Sequence, residues 1–161
     1  MKKIISIILL IALAMVSLSA CDSKTSENTS KTKRFEDAYN NAKEATEEAT
    51  GDKNYEKIVT LSSDKKTITV LYKYEYGEYK DLGQDLEIKM GAALLERFTV
   101  AVKNIAKELE ISDSTIKSIL DKTKDDVAGS VTENDVKISY EGLHNDKTSK
   151  TIKKSITFEA V

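Results

Sequence analysis

Ile68, Val70, Tyr72, Tyr74 and Tyr76 occupy every second position of one stretch, with Thr69, Leu71, Lys73 and Glu75 between them. A period of two is the signature of a β-strand with one dry and one wet face. Such a strand is marginal as a lone hairpin, so its dry side requires a covering layer. The best cover in the sequence is the stripe Leu94, Leu95, Phe98, Val102, Ile105 and Leu109. Its three- and four-residue steps predict an amphipathic helix over about 86–110. A chain that pairs these two patterns is an α+β domain.

The remaining elements follow from the same rules. Phe35, Ala38, Tyr39, Ala42, Ala45 and Ala49 predict a helix with a small-residue face, stopped by Gly51. Residues 55–61 and 67–76 predict a hairpin across the polar turn Ser62, Ser63, Asp64, Lys65 and Lys66. A shorter helix is expected over 113–127, with Ser112 or Asp113 as its N-cap and Ile116, Ile119 and Leu120 inward. Val136, Ile138 and Tyr140, then Ile152, Ile156, Phe158 and Ala160, predict two strands joined by a polar loop over 142–150. The expected order is α-β-β-α-α-β-β. The expected fold is α+β, with a four-stranded antiparallel sheet from two hairpins and helices on one face.

The opening of the chain belongs to a different argument. Lys2 and Lys3 precede an apolar run over 4–16 that is interrupted only by Ser6. This is the pattern of an export signal, too short for a comfortable membrane span of about 20 residues. Leu18, Ser19, Ala20 and Cys21 resemble the lipobox of bacterial lipoproteins. The resemblance implies that Leu18, Ser19 and Ala20 are read by the signal peptidase and that Cys21 receives a diacylglyceryl group. Two acyl chains anchor a protein stably where one is marginal. Cys21 is the single cysteine, so no intramolecular disulfide exists. Residues 1–20 are read as the signal, 21–33 as the lipidated cysteine and a flexible tether, and 34–161 as one domain. The tether reading rests on residues 22–33, which contain no apolar side chain.

Loss of Lys2 and Lys3 with the signal leaves 25 less two basic residues against 27 acidic ones, a net charge of −4. That balance offers no footprint for nucleic acid, and none is expected as a partner. Residues 102–120 nevertheless resemble a DNA-binding helix-turn-helix, with Ala106 at the helix crossing and Ile111, Ile116 and Ile119 at the packing positions. The sequence departs at Glu110, where a glycine usually makes the turn. Its would-be reading helix carries one cation, Lys117, whereas phosphate contacts need several. Two packed helices need the same apolar spacing without DNA.

Chemistry-bearing residues are sparse. His144 is the single histidine and has no cysteine nearby, so no metal or other cofactor is expected. Asp121, Asp125 and Asp126 lack the loop pattern of a calcium site and read as a solvated helix end. Glu75, Glu78, Asp81, Asp85 and Glu87 include no persuasive catalytic pair, since the chain has no tryptophan to hold a sugar. Tyr74, Tyr76 and Tyr79 are the candidate partner-binding residues, because tyrosine brings large contact area at low entropic cost.

The lipobox, the polar segment and the grouped strands and helices together resemble an uncharacterised family of small lipoproteins of Gram-positive bacteria. The matching stretches are Asp64 to Tyr74, Ala92 to Leu109 and Asp135 to Tyr140. The resemblance implies architecture and not activity. The favoured expectation is a non-enzymatic binding or interaction lipoprotein at the outer face of the cell membrane. Its partner would be a protein or a cell-envelope component. A phage-exclusion or immunity lipoprotein, and an accessory hydrolase or transport component, are the alternatives.

Overall fold

The computed structural model describes residues 23–51, 53–77 and 83–161. The chain divides into two units, Met1–Lys31 and Thr32–Val161. Helix α1 (Ser23–Thr50) opens in the first and continues into the second. Phe35, Ala38, Ala42 and Thr46 form its buried face. Gly51 closes it at φ +68°, donating its N–H to the Glu47 carbonyl at 2.8 Å. This is the left-handed stop that glycine adopts without strain. The helix stands where a flexible tether was expected over residues 21–33, from Ser23 onward. A helix nucleated around Phe35 propagates at little cost per residue, even through polar sequence. Lys33 supports it with an ion pair to Asp37 at 2.7 Å, one turn along.

A 3-10 turn (Tyr55–Lys57) leads into β1 (Val59–Leu61), which pairs antiparallel with β2 (Thr67–Glu75). The Ser62 hydroxyl oxygen accepts the amides of Lys66 and Thr67, which fixes the turn between them. Helix α2 (Gln84–Glu108) buries Phe98, Ala101, Val102 and Ile105, with Leu109 just past its end. Leu95 departs from the expected stripe and is 42% exposed, while Leu94 is half-buried. Glu110 turns the chain at φ +56°, the position where the sequence lacked its glycine. The end of α2 is held from outside instead, because Arg34 and Asn134 both donate to the Leu109 carbonyl.

Helix α3 (Asp113–Lys122) begins at Ser112, whose side chain accepts the Thr115 amide as an N-cap. It buries Ile116 and Ile119. It stops at Lys122 rather than 127, and a further strand follows. That strand, β3 (Ala128–Glu133), pairs with β4 (Val136–Asp146), and β4 pairs with β5 (Thr151–Ala160). The sheet therefore has five strands and not four, and the element order is α-β-β-α-α-β-β-β. Asn134 and Asp135 sit at φ +52° and +58°, the two-residue turn that matches the twist of a tight hairpin. The strand order is β1-β2-β5-β4-β3, antiparallel throughout, with β5 at the centre.

One face of the sheet is dry. Val59, Ile68, Val70, Tyr72, Val136, Ile138, Ile156 and Phe158 are buried in a single core with side chains of all three helices. The other face is open among the described residues. Across it runs a row of hydroxyls, one per strand: Thr60, Thr69, Thr157, Ser139 and Ser130. Thr69 and Thr157 touch at 3.2 Å.

Candidate functional site

At one end of the open face, β4 carries a bulge between Glu141 and His144. Its cause is local and steric. A Cβ on Gly142 would lie 1.9 Å from the carbonyl oxygen of Asp125, so only glycine lets the 125–127 loop approach. The loop is then clipped down by two bonds, Gly142 N–H to the Val127 carbonyl at 2.7 Å and Leu143 N–H to the Asp125 carbonyl at 3.0 Å. This places Asp126 beside His144, with 3.3 Å between the carboxylate oxygen and Nδ1.

The bulge and the loop enclose a cleft of about 370 Å³. Leu71 and Ser155 form part of its lining, and Asp126, Glu141, His144 and Lys153 bring charge of both signs. His144 and Lys153 are register partners across β4 and β5. The arrangement can complement a ligand that carries both an acidic and a basic group, with an apolar patch between them. Among the described residues no group of three metal-binding side chains gathers.

Lys154 also lines this cleft, yet it alternates with Ile152, Ile156 and Phe158 and is only 6% exposed. Its Nζ lies 4.9 Å from the centre of the Phe98 ring and 6.0 Å from that of Tyr72. No carboxylate or hydrogen-bond acceptor among the described side chains meets it. Burial pushes this ammonium below its ordinary pKa, and repulsion from Lys124 adds to the effect. The Tyr72 hydroxyl is pushed up, again by burial.

The residues singled out in the sequence fall in three places. Tyr74 is 7% exposed and belongs to the core, so its ring is not a surface for a partner. Tyr76 is half-buried and its hydroxyl donates to Asn145 at 3.4 Å. Leu18, Ser19, Ala20, Cys21 and Tyr79 lie outside the described residues. Asp126 and His144, which read apart in the sequence as a helix end and a loop, meet in the cleft. Lys154 is the residue that sequence reasoning misses altogether, although its position on the apolar parity of β5 is a signal. No protein-family model matches this chain, and neither does a curated protein or a solved structure.

Proposed function

We propose that this chain is a lipid-anchored, extracytoplasmic and non-enzymatic binding module that recognises its partner through the open face of the sheet. The observation that carries the reading is a five-stranded sheet that, among the described residues, is covered on one side only, with a mixed-charge cleft at the end of its open side. A hydrogen-bonded face of hydroxyls and charged side chains suits a polar interface rather than a catalytic pocket. The lipobox at Leu18 to Cys21 supports the location, and the resemblance to small Gram-positive lipoproteins agrees with it. No described helix is long and apolar enough to cross a membrane, so anchoring in this reading rests on Cys21.

Two experiments test the two halves of the proposal. Fatty-acid labelling of cells should mark the wild-type chain and not Cys21→Ser; label retained on the variant refutes the anchor. Envelope fractions passed over immobilised protein should lose a component to wild type and not to the double variant Glu141→Lys, Lys153→Glu. Equal capture by both refutes the open face as the recognition surface.

A further inference from the structure

The two edges of the sheet are unequal. β1 spans three residues, while β3 spans six and has no proline, no lysine and no bulge. Natural sheets guard long edges with such devices, because an unguarded row of backbone groups pairs with another strand. The turn at Asn134 and Asp135 makes Glu133 and Val136 the closing hydrogen-bonded pair of the hairpin. By alternation, Glu133, Val131 and Gly129 turn their backbone groups toward β4. The bond from Gly142 N–H to the Val127 carbonyl continues the same phase. Ala128, Ser130 and Thr132 therefore aim their N–H and C=O groups outward.

We propose that this edge pairs with the same edge of a second copy, joining two sheets into one of ten strands about a two-fold axis at Ser130. In this register Ser130 faces Ser130 of the second copy, and Ala128 faces Thr132 in both directions. Each of these pairs exchanges two hydrogen bonds, so all the outward backbone groups of the edge are satisfied. On the helix side, Val131 of one copy faces Gly129 of the other. The fit there is specific. Val131 is 37% exposed, and Gly129 has no side chain because the Tyr140 ring lies where its Cβ would be. The second copy's Val131 comes to rest on that ring. Val127, 46% exposed, flanks the same edge, so two of the four large apolar side chains exposed among the described residues gather here.

Lys122 lies 5.8 Å from the centre of the Tyr140 ring, beside Gly129. A groove between α3 and this edge is lined by Ser118, Lys122, Ser130, Val131 and Tyr140. Chains confined to one membrane surface meet at high effective concentration, which favours pairing through a modest interface.

The experiment uses the full-length chain in cells and in detergent. Ser130→Cys should form a disulfide-linked dimer on mild oxidation, since directly opposed strand residues lie within reach of a disulfide. Thr60→Cys, equally exposed on the open face at the far edge, should not. Light scattering should give a dimer for wild type and a monomer for Ser130→Pro, which removes only an outward N–H. Val131→Lys should also be monomeric, and provides the test where Ser130→Pro melts early. A monomeric wild type, equal cross-linking of both cysteine variants, or a dimer indifferent to Ser130→Pro and Val131→Lys overturns the pairing. A monomer that captures an extended segment of another protein along β3 would overturn it too.

Discussion

Lys154→Met should make this protein more stable. The side chain is 6% exposed, and its ammonium meets two aromatic rings and no anion among the described residues. Taking a charge out of water costs several kcal/mol even after relaxation. A desolvated cation over an aromatic face recovers about 2 kcal/mol or somewhat more, less than that cost. Met keeps the unbranched stem and fills the same space without the charge, so a net gain of about 1–2 kcal/mol is expected at pH 7. For a domain of this size that is a rise of roughly 4–8 °C in melting temperature. The gain should depend on pH in a defined direction. The folded-state pKa of Lys154 lies below its ordinary value of 10.5. Below the folded value, both states are protonated and the wild type carries its full deficit. As pH climbs from the folded value toward 10.5, the folded protein loses this proton first and the deficit shrinks. Thermal melts of both proteins from pH 7 to pH 10.5 should therefore converge. A variant no more stable than wild type at pH 7, or a gap that ignores pH, would refute the claim that Lys154 is an uncompensated buried charge.

Four further substitutions probe the fold. Phe98→Ala removes a fully buried ring that also contacts Tyr72 edge-on, and should cost roughly 3–5 kcal/mol in urea melts, while Lys103→Ala on the exposed side should stay within about 0.5 kcal/mol of wild type. A wild-type midpoint for Phe98→Ala would overturn its place in the core. Tyr55→Phe should leave stability unchanged or raise it by about 1 kcal/mol, because the buried Tyr55 hydroxyl has no hydrogen-bond partner among the described residues; a clear loss in the same melts would reveal one. Gly142→Ala should cost about 1–3 kcal/mol and speed amide exchange at Gly142 and Leu143, since its methyl group would displace the 125–127 loop; unchanged exchange would show that the bulge does not depend on this contact.

The parts of the fold that bury apolar side chains on a clear period were legible in the sequence. The strand around Tyr72 and the stripe from Phe98 to Leu109 form as their spacing requires, and the helices do cover one face. Ala128–Glu133 escaped notice because an edge strand need not be apolar, and Val131 is its single large apolar residue. Its signal lay just beyond it, in Asn134 and Asp135, two residues that tolerate the left-handed backbone of a tight hairpin. The helix from Ser23 escaped for a different reason, since polar sequence can be helical when one end is anchored. The cleft was illegible because it joins a loop to a bulge through the single glycine that allows contact. Lys154 was legible by parity alone, and lysine chemistry argued against reading it as buried.

The central place of β5 has a consequence for the order in which the chain can assemble. Among the described residues β2 and β4 each run along β5 and do not pair with one another, so within the sheet β5 alone joins the β1–β2 hairpin to the β3–β4 hairpin. A chain that has emerged only as far as Lys150 owns two separate ladders and a core that lacks Ile156 and Phe158. Nothing on the amino side of Thr151 can close the sheet, so the final cooperative step waits for the last strand. If the chain is exported as proposed, this delays closure of the sheet until Thr151–Ala160 has crossed.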